Sequence, residues 1–209
     1  MKLPRASHAD RGPRMNYIPH GDASMKLVII SGSRNPDGQT ASAAAALAEG
    51  ARSAGCDTET VFLPTLDIRR CRQCDDQGWG LCRKEGRCVI EDDLVGVVDK
   101  IREADVVAFA NPVYFGDLSE SMGAFLDRLR RVAIHGGNEN IKGKPAAGIC
   151  VAGGGGGGAP RCTVIMESVL TTCGFDVVDM IPARRQNLPM KREVLRTVGA
   201  WLAARPSSG

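Results

Sequence analysis

From Met25 onward, short apolar runs alternate with segments of helical period. Leu27-Val28-Ile29-Ile30 is wholly apolar and stops at Ser31-Gly32, which predicts a buried strand. Thr40 to Ala54 is rich in alanine and predicts a helix. Thr58 to Leu63 reads as a second, half-polar strand. Asp92 opens a helix with Leu94, Val97, Val98 and Ile101 at i, i+3, i+4, i+7 spacing. Val106 to Ala110 is a third strand, stopped by Asn111-Pro112. Asp117 and Glu120 read as a capping box for a helix that puts Met122, Phe125, Leu126 and Leu129 on one face. Ala146 to Ala152 is the fourth strand, Thr163 to Thr172 a helix, and Val177 to Ile181 the fifth strand. Pro189 starts a last helix whose expected inner face is Val194, Val198, Trp201 and Leu202.

Five strands separated by helices predict an α/β fold: a doubly wound parallel sheet with helices on both faces. Strand polarity suggests the order. The first, third and fourth strands are almost all apolar, as central parallel strands are. The second carries Thr58, Glu59 and Thr60, and the fifth carries Asp179, so these two read as edges. The flavodoxin-like order 2-1-3-4-5 has those edges. Residues 25–205 are then one domain, with a cysteine-rich insertion at 68–91. Residues 1–24 hold Pro4, Gly12, Pro13, Pro19 and Gly21 without apolar period, and read as a flexible leader.

Composition narrows the function. With 43% apolar and 24% charged residues over 209 positions, the chain is globular rather than disordered. The net charge is +3. The leader's four basic and two acidic residues leave the body near neutral, which argues against broad nucleic-acid binding. No apolar run is long enough to span a membrane, and no secretory signal is visible, so a cytoplasmic location is expected. Of the three histidines, only His135 lies in the body, so a histidine-based triad or metal site has almost no raw material.

In such a sheet, ligands bind beyond the carboxyl ends of the strands at the switch point, here between the first and third strands. Three loops meet there. Ser31 to Thr40 is rich in hydroxyls and glycine, carries Arg34, and runs into a helix N-terminus, where free amides and the helix dipole suit a phosphate. It is not a Walker A loop. Asn111 to Asp117 puts Tyr114 and Phe115, two of only nine aromatics, at the switch point, which suits a flat ligand. Gly153 to Gly158 is an unbroken glycine run, open to close approach of a ligand.

Four of eight cysteines fall in one short segment, Cys71, Cys74, Cys82 and Cys88. Clustered thiols without a secretion signal favour a metal over disulfides. A [4Fe-4S] cluster, zinc, or free or oxidised thiols all remain open. Neighbouring Arg69, Arg70, Arg72, Arg83, Lys84 and Arg87 outnumber Asp75, Asp76 and Glu85 by three, which would offset an anionic thiolate cage. Cys56, Cys150, Cys162 and Cys173 read as small buried hydrophobes.

Gly32-Ser33-Arg34 leading to Gln39-Thr40, then Asn111-Pro112-Val113-Tyr114-Phe115-Gly116, then a glycine-rich fourth loop, resemble the NAD(P)H-dependent FMN reductases. The cysteines make the chain most similar to their iron–sulfur flavoprotein branch. That branch uses a tighter run, whereas the middle spacer here is seven residues and contains Gly78-Trp79-Gly80. The resemblance implies that Ser33, Arg34, Gln39, Thr40 and Ala41 hold the FMN phosphate. It implies that Pro112, Val113, Tyr114, Phe115 and Gly116 line the isoalloxazine and ribityl chain, and that Gly153, Gly154 and Gly155 face the pyrimidine edge. The expected activity is electron transfer from NAD(P)H through FMN to a flavin, quinone or similar small acceptor. An alternative is single-electron exchange between FMN, a [4Fe-4S] cluster and a ferredoxin-like partner, and a third is a non-enzymatic zinc-bearing regulator. A homodimer or homotetramer is expected, with the cysteine segment at its interface.

Overall fold

The computed structural model describes residues 24–135 and 139–205, so the leader, but for its last residue, lies outside the described residues. One parallel sheet has the order β2-β1-β3-β4-β5. Its strands are β1 (Lys26–Ser31), β2 (Asp57–Phe62), β3 (Val106–Pro112), β4 (Pro145–Ala152) and β5 (Asp176–Arg184). The order matches the one read from polarity, for the reason given there: β1, β3 and β4 are buried almost throughout, while β2 and β5 carry exposed positions.

Alternation along the strands splits the core into two layers. Val28, Ile30, Val107 and Phe109 face α3 (Leu94–Glu103), α4 (Glu120–Ile134) and α5 (Ala159–Cys173). Leu27, Ile29 and Ala108 face α1 (Gln39–Ser53) and α6 (Leu188–Ala203). A short helix, α2 (Leu81–Glu85), lies inside the cysteine segment and has too little periodicity to be foreseen.

Several local expectations need correction. β3 continues through Asn111 and Pro112, because Asn111 and Pro112 pair in register with Cys150 and Val151 of β4. α5 begins at Ala159 rather than Thr163, with Pro160 in the first turn where a missing N–H is harmless. The cap of α4 is Ser119, whose Oγ accepts from the Met122 amide. Asp117 is not a cap: it exchanges backbone bonds with Tyr114, and its carboxylate accepts from the Leu118 amide.

α6 is turned differently from its expected face. Leu195, Gly199 and Leu202 are buried, while Trp201 is 52% and Val194 37% exposed. The reason is a close crossing with α1. A Cβ on Gly199 would lie 2.0 Å from the Leu47 carbonyl oxygen, and one on Gly50 only 1.9 Å from that of Arg196. Two glycines let the helix backbones touch, and that contact fixes the rotation of α6.

Candidate functional site

The tips of β1, β3 and β4 converge. The Gly32 amide donates to the Ala110 carbonyl (2.8 Å) and the Val113 amide to that of Val151 (2.9 Å). Asn111 Oδ1 accepts from the Ser119 amide, and the Ser119 and Ser121 hydroxyls both donate to the Gly32 carbonyl. A Cβ on Gly158 would stand 2.5 Å from Gly116 Cα, so the third and fourth loops also touch. The glycine run is an ordered turn rather than a loose linker: Gly154, Gly156 and Gly158 hold positive φ, and Gly156 packs against Arg184 and Gln186.

These loops enclose an open cleft of about 660 Å³, within the usual size of a small-molecule site. Of the residues singled out in the sequence, Ser33, Gln39, Thr40, Pro112, Val113, Tyr114, Phe115, Gly153, Gly154 and Gly155 line it. Arg34 is exposed, Ala41 is buried, and Gly116 lies behind the cleft against Gly158; none of these three is part of the lining. Val151, Ala152, Gly156 and Gly157 line it as well and were not anticipated. The first two read only as strand interior, and the glycine run gave no sign of which members face inward.

The cleft has the chemistry of an anion site at one end. α1 starts at Gln39 with Gly38 as its cap, no side chain capping it and no acid in its first turn. The Gln39, Thr40 and Ala41 amides therefore have no intrahelical acceptor, and the helix dipole adds positive potential there. Gln39 Oε1 is buried without a hydrogen-bond partner among the described residues, as an acceptor awaiting a ligand hydroxyl or amide would be. At the other end, Tyr114 is 58% exposed and Phe115 wholly exposed, so neither folds back onto the core. Amides for a phosphate, an orphaned acceptor and two exposed rings fit a phosphorylated planar group such as FMN.

The cysteine segment forms a second site. Cys71, Cys74, Cys82 and Cys88 all line one small hollow, with Arg72, Trp79, Arg128 and Arg131. The long spacer is accommodated by a turn around Asp75, whose carboxylate accepts from the Gln77 and Trp79 amides, and by α2, which carries Cys82. Among the described residues, no three ligating side chains stand at metal-binding separation. Both ends of the segment are clipped by Asp92, which accepts from the Arg69 amide and pairs with buried Arg128. Burial pushes the Asp92 carboxyl up, but bonds from Arg128 and the Arg69 amide outweigh it and leave it below the usual carboxylate range.

The remaining four cysteines are buried, as expected. Burial raises the Cys56 thiol and pushes Cys173 up to about 12. Cys162 is the exception: contact with Cys150 and a bond from Asn111 Nδ2 (3.4 Å) lower it despite burial.

Residues 25–183 match a family model described as NADPH-dependent FMN reductase. An iron–sulfur flavoprotein of Methanosarcina thermophila is 34% identical over 154 residues, which is 74% of this chain and 77% of that protein. Another, from Methanocaldococcus jannaschii, is 33% identical over 53% of this chain and 54% of its own length. Among solved structures, the NAD(P)H:quinone oxidoreductase of Methanothermobacter marburgensis superposes with a TM-score of 0.66 at 20% identity. That match covers 90% of this chain and all of the other, a likeness of fold.

Proposed function

The chain belongs to the NADPH-dependent FMN reductase family, and from that membership and the strand-tip cleft we propose that it passes electrons from NAD(P)H through FMN to a flavin, quinone or similar small acceptor. The observation that carries this reading is the cleft itself, which joins free helix amides, the orphaned Gln39 Oε1 and exposed Tyr114 and Phe115.

In this reading the α1 amides with Ser33, Gln39 and Thr40 take the phosphate, and Pro112 to Phe115 with the glycine loop take the ring system. Arg34 and Ala41 serve from outside the lining: Arg34 as an exposed cation near the anion site, Ala41 by its backbone amide. Gly116 keeps the aromatic turn against Gly158. Bound FMN supplies hydride acceptance and electron donation, so no side chain needs to act as acid or base. The protein's own part is to bind, orient and leave one face of the site open to a second planar reactant. The test is direct: the purified chain should take up FMN stoichiometrically and oxidise NAD(P)H in the presence of a quinone. A chain that fails to retain FMN overturns the proposal.

A second reading is favoured by one observation, the convergence of four thiols on one arginine-lined hollow. The residues fit an anionic metal–thiolate group by donor type and surrounding charge, and relatives named iron–sulfur flavoproteins make a [4Fe-4S] cluster the proposed occupant ahead of zinc. The chain would then exchange single electrons with a ferredoxin-like partner. Iron and acid-labile sulfide analysis of anaerobically purified protein separates the two: zinc, or neither metal nor sulfide, refutes the cluster. We further propose a homodimer or homotetramer formed through the cysteine segment; a sedimentation profile of monomer alone at micromolar concentration refutes it. Among the described residues, no helix is long and apolar enough to cross a membrane.

A further inference from the structure

Arg128 is among the largest fully buried side chains of the described residues, and it belongs to neither the cleft nor its loops. Its Nη1 donates to the Arg69 carbonyl (2.8 Å) and to Asp92 Oδ2 (2.6 Å). Its Nη2 donates to Asp92 Oδ1 (3.0 Å), to Cys88 Sγ (3.2 Å) and, at 3.5 Å, to the Ile90 carbonyl. Its Nε is buried with no acceptor among the described residues. An arginine present only to pin a loop would have its donors spent on the carboxylate and carbonyls. Here one donor rests on a cysteine sulfur and another has nothing to bond, although buried donors are rarely left unmet.

The same side chain lines the four-thiol hollow beside Arg72 and Arg131, and no acid is part of that lining among the described residues. Asp92 neutralises one cation, so the hollow keeps an excess of positive charge. Four metal-bound thiolates bring the opposite charge, and their sulfurs accept hydrogen bonds.

We infer that Arg128 is a positioning residue of the cysteine hollow: it fixes Cys88 Sγ and offers N–H donors to an anionic metal–thiolate group held by Cys71, Cys74, Cys82 and Cys88, while Arg72 and Arg131 supply the positive charge. The inference rests on the second reading above and goes beyond it by naming the residue outside the ligand set that orients one ligand. Such donors favour the more negative, reduced form of a cluster, so Arg128 raises its reduction potential.

The test uses the full chain, reconstituted anaerobically with iron(II) and sulfide. Wild type is compared with Arg128→Lys and with the double variant Arg128→Gln/Asp92→Asn, which removes both buried charges together. The double variant should lose iron to a chelator about ten- to a hundredfold faster than wild type. Its cluster should titrate at a more negative potential by electron paramagnetic resonance, with Arg128→Lys in between. FMN uptake and cooperative melting should persist in all three. If the double variant does not fold, Arg128→Lys decides, since it keeps charge opposite Asp92 but cannot span Asp92 and Cys88. A folded, FMN-loaded variant with wild-type iron release and wild-type potential overturns the inference. So does wild type that binds FMN but takes up no iron and sulfide, an outcome that leaves the flavin reading standing. Failure to bind FMN instead strikes the flavin reading.

Discussion

Phe115 should stabilise nothing and serve only the cleft, and replacing it separates those two roles. Tyr114 and Asp117 exchange backbone bonds of 3.1 and 2.9 Å, with Phe115 at φ +52° and Gly116 at φ +80° between them. Positive φ at both central positions is what a type I′ turn requires, and Asn-Gly is its preferred pair. An L-residue in the left-handed region is strained by about 1–2 kcal/mol, a penalty to which asparagine is less subject. Because Phe115 is wholly exposed, Phe115→Asn sacrifices no burial in the free protein. The net effect should be about 1 kcal/mol of stabilisation, or a Tm rise of about 2–4 °C for a domain of this size. An aromatic stacking contact is worth about 0.5–1.5 kcal/mol, so FMN affinity should fall about two- to twelvefold. Thermal melting of FMN-free protein reads the first effect, and flavin fluorescence quenching reads the second. A lower Tm in the FMN-free variant, or an unchanged Kd for FMN, refutes the reasoning.

Other substitutions probe separate parts of the argument. Gln39→Leu removes the orphaned buried acceptor, so the FMN-free protein should melt no earlier than wild type. FMN binding should nonetheless weaken about two- to twelvefold, the value of one lost hydrogen bond, as read by equilibrium titration. Gly199→Ala puts a methyl 2.0 Å from the Leu47 carbonyl oxygen and should lower stability by about 1–3 kcal/mol or more in urea denaturation. Lys144 Nζ donates to the Ile101, Arg102 and Ala104 carbonyls at the end of α3. Lys144→Ala should therefore lose about 1–2 kcal/mol, with burial of the ammonium offsetting part of the gain from those bonds. Cys74→Ser should abolish iron retention while FMN content, measured by absorbance after gel filtration, stays at the wild-type level.

Much of the architecture was legible because burial imposes a pattern that one sequence displays. The polar residues of β2 and Asp179 of β5 marked the edges of the sheet, and that alone located the switch point and the three loops that meet there. The orientation of α6 was not legible, because it depends on Gly50 and Gly199 meeting across two helices distant in sequence. A hydrophobic-face argument weights Val194 and Trp201 and gives glycine no vote. The cap of α4 misled for a local reason: Asp117 has the right residue type, but its backbone and carboxylate are spent on the aromatic turn. Arg128 carried no sequence signal at all. It sits at a helix position where arginine is normally solvated, and its partner Asp92 lies 36 residues earlier, in the loop that leads into α3.

The two sites share one mechanical element, and this limits how they can communicate. α4 is capped by Ser119, whose hydroxyl donates to the Gly32 carbonyl in the first loop of the cleft. Nine residues later the same helix presents Arg128 to Asp92 and Cys88. At 1.5 Å per residue, the two anchors stand about 13–14 Å apart along a rigid rod. That separation is beyond the range at which substitutions usually couple directly, so ligands at one site should be lost without disturbing the other. It is also set by the helix rather than by either loop, so the long spacer between Cys74 and Cys82 can be absorbed locally by the Asp75 turn and α2. The cysteine segment and the strand-tip cleft are thereby kept independent: the segment can change length while Arg128 holds its far end in register with the sheet.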